Sequence, residues 1–147
     1  MKLIGDEHIS PRIVKEVNDI AITKAAFTLE TIIGNTAYQA TEDEDWIDKF
    51  AKAGGYGLLS ADRRMLKRPT LIKKITDHGM IGIFLPAEWA NSKRQYQMAH
   101  IMHWWVEIEA KFQSANKGTA WFVPRGLGTG IFREHVAKTK AKPAKAG

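Results

Sequence analysis

Acidic residues follow three short apolar segments of this chain, either at once or after a loop. The pairs of segment and acid are Leu3–Gly5 with Asp6, Thr28–Ile33 with Glu44, and Gly57–Ser60 with Asp62. If the segments are parallel strands of one sheet, their carboxyl ends share an edge, which is where ligands bind in open α/β sheets. Carboxylates brought together raise one another's pKa unless a cation neutralises them, and Mg²⁺ and Mn²⁺ prefer oxygen ligands. The spacing therefore predicts a Mg²⁺ or Mn²⁺ site made by Asp6, Glu44 and Asp62.

Such a set of carboxylates suits the metal-assisted hydrolysis of phosphodiester bonds. A metal ion lowers the pKa of a bound water molecule and neutralises the charge that develops on the phosphate. A carboxylate could then accept the proton of that water. Helix boundaries read from a sequence are uncertain by a residue or more, so Asp43 or Asp45 could take the place of Glu44 as a ligand.

Each acid also has a structural explanation that needs no ligand. Asp6 could cap a turn, and Asp62 could be the N-cap of a short helix at Arg63–Lys67. Glu44 could complete a capping box that begins at Thr41. Together these explanations require three coincidences at one edge of the sheet, so a common site is the favoured interpretation.

The hydrophobic pattern alternates short strands with helices. The predicted strands lie near residues 3–5, 26–33, 56–61, 80–85 and 119–123, and the predicted helices begin near residues 10, 41, 70 and 91. Ser10 and Pro11 form a strong helix start, with serine as the N-cap and proline in the first turn. Strands that alternate with helices indicate a parallel sheet covered on both faces. The expected fold is an α/β three-layer sandwich with a mostly parallel sheet of four or five strands.

The composition excludes several classes of protein. The chain has no cysteine, which excludes a disulfide scaffold, a zinc ribbon and a thiol nucleophile. It begins without an apolar signal peptide, and no apolar run reaches the roughly 20 residues of a membrane span. We therefore expect a cytoplasmic protein with no membrane partner. We expect a single domain at residues 1–136, followed by a disordered tail at residues 137–147. Much of the net charge of +6 lies in this basic tail.

The residues around these acids resemble the PIN-like domain family, most closely the small PIN-like nucleases related to VapC-type toxins. The likeness lies in residues 3–10, 43–51 and 58–62, which read LIGDEHIS, DEDWIDKFA and LLSAD. The resemblance implies an α/β fold and an endoribonuclease activity in which the three acids hold Mg²⁺ or Mn²⁺. It further implies RNA as the substrate, a role as the toxin of a type II toxin–antitoxin pair with a cognate antitoxin protein, and a homodimer.

The sequence departs from the family pattern at the third acid. Relatives often have Asp-x-Asp-Phe there, whereas this chain has Asp62 followed by Arg63 and Arg64. Arg64 stands in the place of a fourth acid, for which Glu88 is an alternative. A PIN-like binding module with little or no activity is therefore the second hypothesis. Arg63 and Arg64 could hold a substrate phosphate, because guanidinium groups match phosphate geometry, or could be an exposed surface pair.

Two patterns in the second half of the chain have competing interpretations. Gly126–Gly130 is rich in glycine like a phosphate-binding loop, but it has no Lys-Ser/Thr pair and opens no clear helix, so a turn is favoured. His100, His103 and Glu107 have helical spacing and could bind a metal ion. No second set of ligands accompanies them, so packing or partner contact is the favoured role for the two histidines.

Overall fold

A sheet of six strands lies at the centre of the part of the chain that the structure describes. The structure is a computed structural model and describes residues 1–23, 26–39 and 41–136. The strands are β1 (Lys2–Gly5), β2 (Thr28–Thr31), β3 (Gly55–Ser60), β4 (Ile81–Phe84), β5 (Ala120–Phe122) and β6 (Arg133–Glu134). Their order is β2-β1-β3-β4-β5-β6, and every pair of neighbours is parallel except β5 and β6. The predicted α/β sandwich is confirmed, and β6 adds one strand to it; the predicted tail at residues 137–147 lies outside the described residues.

Helices connect the strands and cover both faces of the sheet. They are α1 (Pro11–Glu16), α2 (Asp43–Lys52), α3 (Pro69–Asp77), α4 (Ala87–Ala90) and α5 (Arg94–Ser114). A π-helical turn at Val17–Ala21 continues α1, and a 3₁₀-helix at Arg63–Lys67 precedes α3. As predicted, Ser10 caps α1, because its Oγ accepts a hydrogen bond from the Arg12 amide at 3.2 Å. Of the helices described, none is both long and apolar enough to cross a membrane.

The capping box predicted at the start of α2 does not form. The N-cap residue is Glu42, which makes no side-chain capping bond. The hydroxyl of Thr41 donates instead to the carbonyl of Tyr38 at 2.6 Å. Glu44 therefore lies in the first turn of α2 without the reciprocal partner that the capping explanation requires.

Neighbouring residues of the central strands face opposite sides of the sheet and build two cores. Leu3 of β1 packs in the core beneath α1 and α5, whereas Ile4 packs in the core beneath α2 and α3. Leu59 and Leu58 of β3 divide between the two cores in the same way, and all four side chains are fully buried. A slip of one residue would exchange the two faces, so this alternation fixes the register of β1 and β3 and the position of their ends.

Asp48 of α2 joins this helix to the end of α3. Its Oδ1 lies 2.6 Å from Nε2 of His78, and its Oδ2 accepts a hydrogen bond from Nζ of Lys74 at 2.5 Å. The hydrogen bond with His78, and after it the one from Lys74, lowers the pKa of Asp48 from 3.8 to about 2. An aspartate whose pKa is lower in the folded than in the unfolded chain stabilises the fold while it is ionised.

Protonation of Asp48 is expected to destabilise the protein in acid. Its stabilising effect is complete above the unfolded-state pKa near 3.8 and is lost as the pH falls to the folded-state value of about 2. Urea unfolding between about pH 2 and 6 should show this decrease in the parent protein and a flatter profile in Asp48→Asn. The matched variant Asp77→Asn, which removes the exposed partner of Lys73 on α3, should stay closer to the parent. Equal steepness in the parent and Asp48→Asn would contradict the assignment.

Candidate functional site

Asp6 and Asp62 lie near each other at the carboxyl ends of β1 and β3. The two strands are neighbours in the sheet, and the Asp6 amide donates to the carbonyl of Leu59 at 3.1 Å. Ser60 links the two acids, because its hydroxyl donates to Oδ2 of Asp6 and its Oγ accepts from the Asp62 amide at 2.9 Å. The fold thus brings these two predicted site residues to one edge of the sheet.

The carboxylate of Asp6 is buried and held on two sides. Only 3% of the residue is exposed. Oδ1 accepts a hydrogen bond from the His8 amide at 3.0 Å, which forms the turn expected of Asp6, and Oδ2 accepts the hydroxyl of Ser60. A buried carboxylate needs hydrogen bonds or a cation to offset the loss of hydration. These partners fix the position of the Asp6 carboxylate at the strand end.

The imidazole of His8 lies beside the same carboxylate. Its Nδ1 is 3.9 Å from Oδ2 of Asp6, and 38% of the side chain is exposed. The Asp6 side chain is the main cause that raises the pKa of His8; burial opposes it, and the charges of Asp62 and Glu7 add to it. His8 therefore keeps its proton to a higher pH than an isolated histidine and is a hydrogen-bond donor at the site.

Asp62 begins the 3₁₀-helix and is paired with Arg64. Its Oδ1 accepts hydrogen bonds from the amide and from Nε of Arg64, each at 3.0 Å, so the N-cap explanation is confirmed. Burial raises the pKa of Asp62, but the hydrogen bonds from Arg64 outweigh it and the pKa lies below the usual value. The Arg64 side chain is 79% exposed, and ion pairs of this exposed kind are weak. Asp62 is thus ionised, and its partner can exchange with another ligand.

A cleft of about 300 Å³ opens beside these residues. Its walls are formed by His8, Ala61, Asp62, Arg63, Arg64, Ala87, Ala90 and Asn91. Both arginines predicted to hold phosphate border it, together with Asp62 and His8. The walls therefore combine a carboxylate, which suits a divalent cation, with guanidinium groups, which suit a phosphate.

Asp43 and Glu44 at the start of α2 bind a cation of the protein itself. Arg68 donates from Nη1 to Oδ2 of Asp43 at 2.8 Å and from Nη2 to Oε1 of Glu44 at 2.7 Å. The hydroxyl of Thr70 donates to Oε2 of Glu44 at 2.9 Å. The backbone amide of Glu44, followed by Thr70 and Arg68, lowers the pKa of Glu44. Glu44 is therefore ionised and held at the start of α3.

The two acids that flank Glu44 face different neighbours. Asp43 borders a cavity of about 330 Å³ together with Glu7, the residue after Asp6. On the other side, the hydrogen bond that Lys74 of α3 donates to Asp48 is the main cause that raises the pKa of Lys74, and the charge of Asp45 adds to it. Of the alternatives for the second acid, Asp43 is thus the one that shares a cavity with the end of β1.

The three predicted ligands do not form one group in this structure. Within residues 1–23, 26–39 and 41–136, no three histidine, aspartate or glutamate side chains are placed to hold one metal ion. Asp6 and Asp62 nevertheless supply two carboxylates, and Mg²⁺ is commonly bound by one or two carboxylates with water and substrate phosphate as its other ligands. This donor set fits Mg²⁺ or Mn²⁺. Glu44 or Asp43 could bind the metal ion only after Arg68 releases it, so a metal-binding role for either acid stays a prediction.

Ser60 and Arg68 contribute to this region, although neither is among the residues predicted for the site. Ser60 is fully buried at the end of an apolar strand, and a polar residue in such a position is a usable signal because buried hydroxyls need partners. Arg68 gives no local signal, because its acidic partners lie on another helix. Glu88, the alternative fourth acid, pairs with Arg125, whose Nη2 lies 2.7 Å from Oε2 of Glu88.

The fold and the site define an α/β protein with acids at the carboxyl ends of adjacent parallel strands. A family model described as a PIN like domain matches residues 1–87, more than half of the sequence. The chain belongs to the PIN-like domain family. PIN-like domains are generally nucleases, and they typically use divalent metal ions. Searches of curated proteins and of solved structures found no matching protein.

Proposed function

We propose that this protein is an endoribonuclease that hydrolyses RNA phosphodiester bonds with the help of Mg²⁺ or Mn²⁺. One observation carries the proposal: Asp6 and Asp62 stand at neighbouring strand ends, joined through Ser60, beside a cleft that Arg63 and Arg64 also border. Membership of the PIN-like family supports a nuclease, and the residues of the cleft support a metal ion and a phosphate as its ligands.

Asp6 and Asp62 would hold the metal ion. When bound, the ion supplies an acidified water molecule and neutralises charge on the reacting phosphate. Arg63 and Arg64 hold phosphate oxygens through their guanidinium groups, which requires that Arg64 turn away from Asp62. His8, whose ring lies beside Asp6 and lines the cleft, would donate a ring N–H to an oxygen there.

The biological role that fits this activity is that of the toxin in a type II toxin–antitoxin pair. The resemblance to VapC-type toxins supports this finer proposal. In that role, a cognate antitoxin protein covers the cleft beside Asp62 and the enzyme acts as a homodimer in the cytoplasm. A neighbouring gene for a small protein that binds this chain and blocks cleavage would support the role.

Incubation with single-stranded and hairpin RNA tests the activity. The parent protein is expected to cleave RNA in the presence of Mn²⁺, and cleavage is expected to stop when EDTA removes the metal. Asp62→Asn should lower the rate by about 100-fold or more, because it removes one of the two carboxylates proposed to hold the metal ion. The matched variant Asp77→Asn on α3 should retain the parental rate. Cleavage that survives in Asp62→Asn would exclude the proposed site.

A binding module without cleavage activity is the second candidate function. The observation that favours it is the arginine pairing of the acids: Arg64 binds Asp62, and Arg68 binds both Asp43 and Glu44. If these pairs persist in the presence of Mn²⁺, the carboxylates stay neutralised by the protein itself. RNA binding without cleavage in the same assay would support this second function.

A further inference from the structure

A second cleft, of about 670 Å³, borders the first. Three arginines line it, Arg63, Arg125 and Arg133, and we call it the arginine cleft. Arg63 lines both clefts, so the arginine cleft continues the wall that carries Asp62. Its charge is net positive even when Glu134, which also lines it, and Glu88 are counted. The surface next to the acid pair therefore attracts anions.

Arg63 is held in place where the two clefts meet. Its Nε donates to the carbonyl of Leu85 at 3.1 Å, and its guanidinium lies 4.4 Å from the centroid of the Phe122 ring. Burial lowers the pKa of Arg63; Glu88 opposes this, and the positive charges of Arg125 and Arg133 lower the pKa further. Three like charges thus act on one another here, and an anion between them would relieve that repulsion.

The other two arginines, Arg125 and Arg133, can bind an anion without losing a strong ion pair. Arg125 pairs with Glu88, but its side chain is 79% exposed, and exposed ion pairs contribute little. Arg133 lies on the edge strand β6, and the part of the chain that the structure describes contains no acidic partner for it. A phosphate in the arginine cleft can therefore be bound without breaking a buried ion pair.

The loop that carries Arg125 is fixed by side chains of α4 and α5. Four ring nitrogens donate to its carbonyls: His100 to Pro124 at 2.8 Å, Trp89 to Arg125 at 2.5 Å, Trp104 to Gly126 at 2.8 Å and His103 to Gly128 at 3.0 Å. The two histidines thus bind this loop, which agrees with the packing role favoured over metal binding. The glycine-rich segment is a fixed turn, so placing Arg125 needs little further ordering when a ligand binds.

We propose that the arginine cleft binds backbone phosphates of the RNA strand next to the bond that is cleaved. This inference rests on the proposed function, because it takes RNA as the ligand of the neighbouring site. Continuity through Arg63 favours one extended strand over a separate ligand. Arg125 and Arg133 lie beyond residues 1–87, so this subsite is a feature of the chain outside the part matched by the family model.

Binding of a labelled RNA in EDTA tests the arginine cleft without requiring cleavage. Fluorescence anisotropy gives the Kd of a fluorescein-labelled single strand over a series of salt concentrations. Each lost phosphate contact should lower the slope of log Kd against log salt by about 0.7 and weaken binding about fivefold near 0.1 M salt. We expect this change in Arg125→Gln and in Arg133→Gln. Lys52→Gln, which removes one charge at the end of α2, should keep the parental slope.

The outcomes separate this inference from the proposed function. If Arg125→Gln and Arg133→Gln keep the parental affinity and slope while cleavage still depends on Asp62, RNA binding by the arginine cleft is overturned and the proposed function is not. RNA binding that depends on Arg125 and Arg133, without any cleavage, would support the role of the arginine cleft and overturn the proposed ribonuclease activity. If poly-glutamate but not RNA shows arginine-dependent binding, the ligand is an acidic protein and the inference is overturned. Arg133 is exposed on an edge strand, so its variant stays informative even if Arg125→Gln unfolds.

Discussion

Replacing Asp6 with asparagine is expected to lower the rate of RNA cleavage by about 100-fold or more while the protein stays folded. The carboxylate of Asp6 is buried and fixed by His8 and Ser60, so it meets a metal ion with little reorganisation. Asparagine has the same shape. Its oxygen can accept the His8 amide and its nitrogen can donate to Ser60, but its neutral amide binds a divalent cation far more weakly than a carboxylate.

Folding and metal binding can be measured separately in this variant. Asp6→Asn should keep the parental circular dichroism and an unfolding midpoint close to the parent, while its affinity for Mn²⁺ decreases. The control is Asp19→Asn, which removes an exposed carboxylate paired with Lys15 at the end of the first helical segment. The control should cleave RNA at the parental rate. A parental rate in Asp6→Asn would show that Asp6 is only a structural residue of the turn.

The position of Asp6 and Asp62 at one edge of the sheet could be predicted, because it depends on strand order. Alternating strands and helices imply a parallel sheet, and the carboxyl ends of its strands share one edge. Leu3 and Ile4, with Leu58 and Leu59, then fix the register of the two strands through burial on opposite faces. These signals are local and hydrophobic, and a sequence displays them directly.

The environment of the second acid could not be predicted, because it depends on partners from a different helix. The sequence places Asp43, Glu44 and Asp45 in one helical turn, and a capping box with Thr41 was a reasonable local explanation for Glu44. In the structure, Arg68 binds both Asp43 and Glu44 from the start of α3. Side-chain pairing across two packed helices has no periodic signature, so it is seen only in the folded structure.

The arginine cleft was also beyond sequence reasoning. β6 has two residues, too few to show the alternation that predicts a strand. Gly126–Gly130 is typical of a flexible turn, and its order comes from hydrogen bonds donated by tryptophans and histidines elsewhere in the chain. Arg125 and Arg133 are separated by this loop in sequence and come together with Arg63 only through the return of β6 to β5.

Gly57→Ala is expected to lower the free energy of unfolding by about 2–3 kcal/mol, because the sheet has no room for a side chain at this position. A Cβ atom at this position would lie 2.4 Å from Cε1 of Phe112 and 3.0 Å from Cδ2 of Leu3. Phe112 is fully buried in α5, and Gly57 pairs with β1 and β4 on its two sides. The ring and the strand are therefore both prevented from moving aside.

Two comparisons make the Gly57→Ala measurement specific. Gly128→Ala should change the stability by no more than about 0.5 kcal/mol, because a Cβ atom there would have no heavy atom within 4 Å apart from those of Gly128 and its two chain neighbours. Shortening the ring with Phe112→Leu should be less destabilising in the Gly57→Ala protein than in the parent, which a double-mutant cycle in urea detects as coupling. Additive changes in the free energy of unfolding, or a parental midpoint in Gly57→Ala, would contradict the expected clash between Cβ of residue 57 and the Phe112 ring. Because β3 also carries Ser60 and leads to Asp62, displacement of this strand should reduce RNA cleavage along with stability.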